Sequence, residues 1–294
     1  QAWQELTYNQ AQVNALYSMA MSMNAAAATG DYFYLPLDFY FCRNPGLALP
    51  LIALQYHEVK VRVEFNTAAE IRLTTTGVAP GTNLTALSSA ELVCDYIYLD
   101  TDERRRFAQV SHEYLIEQVQ FTGSNTLKAS NTLNFNHPVK ELIWVCQTDT
   151  CATESTASTT LGTGQGNTQN NFLNYSFTSG NAETVNGQTS YEAFVNGHLQ
   201  LNGHDRFAAR PAKYFTHVQP YQHHTRCPAG NVCVYSFALK PEEHQPSGTC
   251  NFSRIDNATL TVTPSSGTKS LHVYAVNYNV LRVMSGMGGL AYSN

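Results

Sequence analysis

The sequence has few charged residues and no long hydrophobic run. Asp, Glu, Lys and Arg make up 13% of the 294 residues, and the formal net charge is −5 at pH 7. No basic tail or stripe is present, so binding to nucleic acid through its phosphates is not expected. The longest apolar run, residues 47–54, contains Pro50 and is far too short to cross a bilayer, so we expect no direct membrane span.

Motifs of catalysis and cofactor binding are also missing. The sequence contains no nucleophile elbow, no phosphate-binding glycine loop and no HExxH motif. His217, His223 and His224 lie near Cys227, but no carboxylate joins them at a fixed spacing. We interpret them as loop histidines rather than as a metal site. The sequence therefore predicts no catalytic residue, no bound metal and no cofactor.

The cysteines do not form a recognisable framework. They are Cys42, Cys94, Cys146, Cys151, Cys227, Cys233 and Cys250. Their number is odd, and the spacings 146–151 and 227–233 are too loose for a zinc knuckle. The printed sequence begins at Gln1 and contains no signal peptide. We interpret the cysteines as mostly buried thiols of a protein made in a reducing compartment.

The residues that are abundant favour β-structure. Hydrophobic residues make up 43% of the chain, with 17 Tyr and 14 Phe, and this supplies a sizeable core. The polar residues are mostly Asn, Thr, Gln and Ser rather than Lys and Glu, which is typical of sheets joined by long neutral loops. The length suits two domains of ordinary size.

Alternation of apolar and charged residues is clearest in residues 54–65. Val59, Val61, Val63 and Phe65 alternate with charged residues of both signs. Because successive side chains of a strand point to opposite faces, this pattern predicts a half-buried strand with a charged outer face.

Other segments give weaker signals. Residues 1–30 and 205–218 are predicted to be partly helical, and residues 32–41 to be a strand that Pro36 confines to an edge or a bulge. Further strands are predicted at residues 133–135, 142–146, 193–201, 232–239, 249–262 and 271–283. Many short strands separated by turn signals indicate sandwiches or barrels.

Three connections are expected from composition. Residues 148–171 are rich in Thr, Gly, Gln and Ser, so they predict a long exposed loop. Asn202-Gly203 predicts a tight hairpin turn. The glycine-rich end around Gly286 predicts a flexible tail.

The densest cluster of charge lies between two apolar stretches. Its members are Asp100, Asp102, Glu103, Arg104, Arg105 and Arg106. Charges in such balance are buried only when every one is paired, so we predict a corner between two strands where two β domains meet. There the carboxylates and guanidiniums bond across an inter-domain seam or a contact between subunits. A solvated loop is the alternative.

Four Asn-X-Ser/Thr sequons are present, at Asn83, Asn174, Asn251 and Asn257. They are candidate glycosylation sites, although several arise by chance in a chain so rich in Asn and Thr. Asn83 lies in a predicted loop and is the most accessible, whereas Asn251 and Asn257 lie along a predicted strand.

Long stretches of the sequence resemble one protein family. They are 43–59 (RNPGLALPLIALQYHEV), 95–121 (DYIYLDTDERRRFAQVSHEYLIEQVQF), 133–138 (LNFNHP), 234–260 (VYSFALKPEEHQPSGTCNFSRIDNATL) and 274–294 (YAVNYNVLRVMSGMGGLAYSN). They resemble the major capsid proteins of large eukaryotic DNA viruses of the phycodnavirus and iridovirus type. The resemblance runs from about residue 32 to the end, interrupted mainly at residues 148–190.

The resemblance implies an all-β fold, the double jelly roll, in which two eight-stranded β-sandwiches lie in one chain. It implies that residues 1–112 form the later part of the first jelly roll and the seam, and that residues 113–294 form the second. In the family several strands precede the counterpart of Tyr32, so the first jelly roll is expected to be truncated at its N-terminus.

The resemblance also implies a structural function. A capsid subunit of this kind forms homotrimers of pseudo-hexagonal outline that tile an icosahedral virion shell, beside neighbouring capsomers and minor capsid proteins, after assembly in the host cytoplasm. The alternative is a jelly-roll carbohydrate-binding protein. Of the two tryptophans that such a protein would use as platforms, Trp3 and Trp144, the second falls in an apolar strand. A cupin-like metalloenzyme lacks its ligands.

Overall fold

The computed structural model describes residues 2–20, 33–65, 89–124, 126–148, 182–185, 188–191, 193–228, 231–264 and 269–292. Among these residues, no helix is long and apolar enough to span a membrane. The described part is dominated by antiparallel strands in its second half and by short helices in its first.

The strands, in chain order, are β1 (His112–Ser124), β2 (Ser130–Leu133), β3 (Pro138–Thr148), β4 (Ala182–Val185), β5 (Gln188–Tyr191), β6 (Phe194–Leu201), β7 (His204–Asp205), β8 (Arg210–Pro211), β9 (Val232–Ser236), β10 (Cys250–Asn251), β11 (Ala258–Pro264), β12 (Lys269–Met284) and β13 (Met287–Leu290). The α-helices are α1 (Ala2–Thr7), α2 (Gln10–Ala20), α3 (Tyr40–Arg43), α4 (Thr101–Gln109) and α5 (Gln219–His223), and one π-helical turn, Tyr214–Val218, precedes α5.

Two antiparallel sheets form a sandwich. The larger sheet has the order β1-β12-β3-β10, with β13 pairing β12 and β9 pairing β3. The smaller has the order β2-β11-β6-β7, with β8 pairing β6. Strands β4 and β5 form a separate hairpin. The predicted strands at 142–146, 193–201 and 271–283 are thus confirmed, whereas the one at 249–262 is split into β10 and β11.

The core lies between the sheets and is built by alternation. In β3 Leu142, Trp144 and Cys146 point inward, and they face side chains such as Leu199 and Leu260 of the smaller sheet. Large β-branched and aromatic side chains at every second position make such a face, and their burial is the main stabilising contribution of the sandwich.

The outer face of the larger sheet is apolar as well. Ile143 and Val145 of β3 and Val232 and Val234 of β9 are buried there against Leu6 of α1. A sheet with both faces buried requires a second covering layer. Helix α1 supplies that layer, so the N-terminal segment is packed on the sandwich.

A β-bulge interrupts the pairing of β3 with β12. Glu141 pairs with Val276 and Val139 with Asn277, so Lys140 is an extra residue on β3. A bulge changes the strict alternation of side chains and re-aims those beside it. Lys140 and Glu141 are consecutive, yet both are 0% exposed.

Two hairpins are closed by two-residue turns. Asn202 and Gly203 have φ of 51° and 80°, and Ser285 and Gly286 have φ of 53° and 80°. Positive φ at both central residues matches the right-handed twist of the strands that the turns join. The predicted turn at Asn202-Gly203 is confirmed. The predicted flexible tail is wrong at Gly286, because the chain returns there as β13.

Several strands predicted in the first half are wrong. Residues 33–39, 55–65 and 89–100 belong to no strand, and α3 occupies part of the predicted strand 32–41. The apolar side chains of these segments are exposed, for example Phe65 at 60% and Tyr98 at 92%. A strand needs a neighbour that pairs with its N–H and C=O groups, and none of the described strands pairs with these segments in a ladder.

The remaining predictions concern helices, a loop and cysteines. Helical structure within residues 1–30 and 205–218 is confirmed by α1, α2 and the π-helical turn. Apart from Thr148, which ends β3, the predicted loop 148–171 lies outside the described residues. The prediction of mostly buried cysteines is wrong in part. The structure buries Cys146 and Cys233 but exposes Cys42, Cys94 and Cys227, and Cys151 is not among the described residues.

Candidate functional site

Charged side chains converge where the N-terminal segments meet the outer face of the larger sheet. We call this group the junction cluster. Its members are Trp3 of α1, Arg43 of α3, Glu117 of β1, Lys140 and Glu141 of β3, His224 after α5, and Glu242 in the loop between β9 and β10.

Glu117 is the centre of the first half of the cluster. Its Oε1 lies 2.5 Å from Lys140 Nζ and its Oε2 lies 2.7 Å from Arg43 Nη1. Glu117 and Lys140 lie in strands β1 and β3 of the larger sheet, whereas Arg43 lies in helix α3. The carboxylate of Glu117 therefore joins α3 to the sandwich. Charge-assisted hydrogen bonds of this kind are about twice as strong as neutral ones.

The indole of Trp3 covers the same cations. Arg43 Cζ lies 4.6 Å and Lys140 Nζ 5.5 Å from the centre of a Trp3 ring. The ammonium of Lys140 also lies 5.4 Å from the ring centre of Tyr278. The electron-rich faces of aromatic rings attract cations, most of all where water is excluded, as it is around Lys140.

His224 is the centre of the second half. Its Nε2 lies 3.0 Å from Glu141 Oε2 and its Nδ1 lies 3.0 Å from Glu242 Oε1. The side chains of His224 and Glu141 are fully buried. Burial by itself lowers the pKa of His224, but hydrogen bonds to the two carboxylates and their charges outweigh it and raise the pKa to about 9.

Glu242 holds the loop that carries His224. It accepts hydrogen bonds from Thr225 N at 2.8 Å and Thr225 Oγ1 at 2.5 Å, besides facing His224. Burial raises the pKa of Glu242, but the hydrogen bonds from His224 and Thr225 lower it by more than burial raises it. The net shift of the pKa is therefore downward. The carboxylate is therefore ionised at neutral pH, where His224 is charged.

The next residues of that loop hold α1. Arg226 forms an ion pair with Glu5, and its Nε donates to Glu5 O at 2.8 Å. The backbone N–H of Arg226 donates to Leu6 O at 3.0 Å. The guanidinium thus satisfies the carbonyl of Glu5, and the backbone N–H satisfies that of Leu6, at the C-terminal end of a helix where positive charge is favourable.

Asp38 joins α1 to the segment before α3. It accepts hydrogen bonds from Gln4 Nε2 and Tyr8 OH, both at 2.7 Å. Burial, with the carboxylate of Asp38, raises the pKa of Tyr8 to about 12. The N-terminal segments are therefore bonded both to each other and to the sandwich.

The charges of the junction cluster balance only when His224 is protonated. Glu117, Glu141 and Glu242 then face Lys140, Arg43 and His224. Two buried oxygens, Glu141 Oε1 and the hydroxyl of Tyr278, make no hydrogen bond among the described residues. Burial, together with the charges of Glu117 and Glu141, raises the pKa of Tyr278 to about 12.

This arrangement can hold two parts of a chain together, and it shows no catalytic geometry. In the described part of the chain, no group of three His, Cys, Asp or Glu side chains is placed to hold a metal ion. His217 contacts Thr216, and His223 Nδ1 lies 3.0 Å from Leu239 O. The histidine-rich segment is therefore split, and only His224 enters the cluster.

The predicted charged corner is a helix. Asp100 is the N-cap of α4, and its carboxylate accepts a hydrogen bond from Thr101 N at 2.7 Å. The predicted corner conformation is wrong here, because an acidic first turn and a basic last turn match the helix dipole. The strand predicted before the corner is wrong as well, whereas the one after it is confirmed by β1.

The charges of α4 do not pair within the described part of the chain. The side chains of Asp102, Glu103, Arg104, Arg105 and Arg106 are exposed. None of them forms an ion pair with a described residue. A role of these residues in a contact between domains or subunits stays a prediction.

The sequons are placed in part. Asn251 is exposed but its side chain accepts a hydrogen bond from Ser253 N at 3.1 Å, whereas Asn257 is exposed and its backbone N–H donates to Asn202. Asn83 and Asn174 lie outside the described residues. Attachment of glycans stays a prediction for all four.

Sequence reasoning missed the junction cluster. One signal was present, the charged pair Lys140-Glu141 inside the apolar run PVKELIWVC, because charged residues in a buried strand must have partners. Nothing in the sequence identified those partners, which lie 23 residues from Lys140 at Glu117 and 83 residues from Glu141 at His224.

Comparison with protein families gives two matches that together cover most of the chain. Residues 103–289 match the model of the large eukaryotic DNA virus major capsid protein. Residues 1–100 match the model of the major capsid protein N-terminus. The boundary between the matches falls at α4.

Similar proteins come from algal and animal viruses. The chain is 48% identical over 322 residues to the major capsid protein of Pyramimonas orientalis virus, covering 99% of this chain and 71% of the relative. It is 45% identical over 297 residues to that of Paramecium bursaria Chlorella virus 1, covering 89% and 67%. It covers 65% of the major capsid protein of Phaeocystis pouchetii virus, to which it is 45% identical. The chain thus spans about two thirds of the length of these relatives.

One solved structure is similar over the whole chain. The quasi-atomic model of the PBCV-1 virus capsid matches with a TM-score of 0.67 and 35% identity, covering 100% of this chain and 78% of that one. The predicted all-β, double jelly-roll fold is confirmed by this match.

Proposed function

The chain belongs to the major capsid protein family of large eukaryotic DNA viruses, and from this premise we propose that it forms homotrimeric capsomers of an icosahedral shell. The family consists of structural proteins of the virion, so the chain is a capsid protein and not an enzyme. What remains to be tested is how its copies assemble.

The observation that carries the proposal is the similarity to a capsid protein over the whole chain, at a TM-score of 0.67. A second observation supports it. The junction cluster fixes the N-terminal segments on the second sandwich with buried ion pairs, and a tile with two lobes per chain needs its parts held at a constant angle. Three such chains then present six lobes.

Helix α4 is the proposed contact with a neighbouring subunit. It presents exposed carboxylates and guanidiniums within nine residues, and these have no partner among the described residues. Guanidiniums bond two carboxylate oxygens at once, which suits a contact that must be specific in angle. The same helix begins at the boundary between the two family matches.

The two domains are proposed as residues 1–112 and 113–294. In the second, the described strands make a sandwich with a continuous core. Minor capsid proteins and neighbouring capsomers are the proposed partners, and the host cytoplasm is the proposed place of assembly.

The proposal is tested by the mass and shape of the purified protein. Light scattering after gel filtration should give three times the mass of one chain, and electron micrographs should show particles of six-lobed outline that form sheets at high concentration. A mass of one chain over the whole concentration range, without arrays, would contradict trimer formation.

A further inference from the structure

The segment Ala2–Ala20 lies on the larger sheet as a strap, held at one end by the loop 224–226. The strap contributes Leu6 to the apolar layer and Trp3 to the junction cluster. Arg226 donates hydrogen bonds to the carbonyls of Glu5 and Leu6. Displacement of this loop therefore removes the hydrogen bonds and the ion pair that hold the C-terminal end of α1.

The geometry around His224 requires a charged imidazole. Each ring nitrogen lies 3.0 Å from a carboxylate oxygen, of Glu141 on one side and of Glu242 on the other. A carboxylate is an acceptor only, so both nitrogens must carry a proton to make both bonds. A neutral imidazole has one N–H, and its unprotonated nitrogen would face a carboxylate at the same distance.

We infer that protonated His224 is a proton-dependent lock that keeps the strap Ala2–Ala20 on the sandwich, and that loss of this proton releases the strap. The inference concerns a single subunit and does not depend on the assembly proposed above. The edge of the His224 ring meets Trp3, with ring centres 6.4 Å apart and planes at 89°. Protonation is thereby linked directly to α1 as well as through Arg226.

The groups that face His224 come from every element packed against it. Glu141 of β3 and Glu242 of the loop after β9 contact its two nitrogens, and Trp3 of α1 contacts its ring edge. On its own loop, Arg226 is neutralised by Glu5. Beyond Glu141 lies Lys140, which is paired with Glu117.

The direction of the pH effect follows from these groups. With the loop 224–226 in place the pKa of His224 is about 9, and when the loop moves away together with the strap His224 loses both carboxylates and its pKa returns toward the ordinary value of 6.5. Release of the strap therefore also releases the proton of His224. The stabilisation of the bound strap by this proton is complete below pH 6.5 and is lost as the pH rises to 9. Tyr8, whose pKa is about 12, stays neutral throughout this interval.

Amide hydrogen exchange of the strap, corrected for the chemical pH dependence of exchange, tests the inference. Between pH 7 and pH 10 the protection of residues 2–7 should fall on the order of 100-fold, while that of β12 stays constant. His224→Gln should have low protection already at pH 7 and no pH dependence, because an amide cannot be charged.

Two further variants keep the test decisive if His224→Gln does not fold. Glu242→Gln removes one of the two carboxylates, so the midpoint of strap release should move down by more than about one pH unit. His223→Gln is the matched control, because its ring bonds to Leu239 O and touches neither carboxylate that holds His224, so it should behave as the wild type. The same midpoint of strap release in the wild type, Glu242→Gln and His223→Gln, or full protection of the strap at pH 10, would overturn the inference.

Discussion

Helix α4 and the junction cluster are the two charged regions of this molecule, and they differ in almost every respect. Helix α4 carries its charges next to one another in sequence, and they are exposed and unpaired among the described residues. The junction cluster collects its charges from β1, β3 and three separate loops and helices, and Lys140, Glu141 and His224 have fully buried side chains. Among the described residues, the charges of the second region join separate segments of the chain, and those of α4 do not.

The difference shows that charge density along the sequence is a poor guide to where ion pairs are structural. Neighbouring charges on a short helix satisfy the helix dipole and water, and exposed pairs are worth little. A single charge in a buried strand, in contrast, forces the fold to bring a partner to it, since an unpaired buried charge costs several kcal/mol. Glu117 shows this, because it accepts from both Lys140 and Arg43.

Lys140→Met should produce the largest effect. It leaves Glu117 buried with only the partly exposed Arg43 as its partner and removes the ammonium between the rings of Trp3 and Tyr278. We expect the free energy of unfolding, measured in urea, to fall by about 3–5 kcal/mol. The matched control is Lys240→Met, which removes an exposed pair with Glu243 and should cost under about 1 kcal/mol. Equal losses of unfolding free energy in both variants would contradict the distinction between buried and exposed charges.

Trp3→Ala should have the next largest effect. It removes a half-buried indole from the apolar layer under α1 and the aromatic face over Arg43. We expect a loss of about 2 kcal/mol in urea unfolding, combining apolar burial with the cation–π attraction. Trp3→Phe retains an apolar ring with a weaker face and should lose less than half as much. Wild-type stability of Trp3→Ala would show that the indole contributes nothing to the stability of the fold.

Substitution of Arg105 and Arg106 by Ala should have the smallest effect on the subunit. The two guanidiniums are exposed and pair with no described residue, so thermal unfolding of the monomer should change by under about 1 kcal/mol. If α4 is a contact between subunits, light scattering should show dissociation of trimers at concentrations where the wild type remains trimeric. A large loss of monomer stability would instead place α4 in an intrachain seam.

The strands of the described sandwich were predictable because each alternating apolar stretch pairs with neighbouring strands in one of the two sheets. Alternating apolar residues in β3 and β12 identified both strands, and Asn202-Gly203 identified a turn with two positive φ angles. The equally clear alternation at residues 55–65 predicted a strand that the structure does not contain. Periodicity reports a tendency, and a strand forms only where another strand satisfies its backbone groups.

The junction cluster was not predictable in full, because it depends on long-range register. The bulge at Lys140 that buries both it and Glu141 has no sequence signature. Helix α4, in contrast, was missed although its signals were present. Asp100 is a favourable N-cap, and acidic residues precede basic ones along the next turns.

A double-mutant cycle between Arg43 and Glu117 tests most directly whether the junction cluster joins the N-terminal segments to the sandwich. The two side chains are 2.7 Å apart and come from positions 74 residues apart in the chain. Urea unfolding of Arg43→Met, Glu117→Gln, the double variant and the wild type gives their coupling free energy, which we expect to be about 1–2 kcal/mol. Losses that add to within about 0.5 kcal/mol would show that the pair does not join the two parts and would contradict the account.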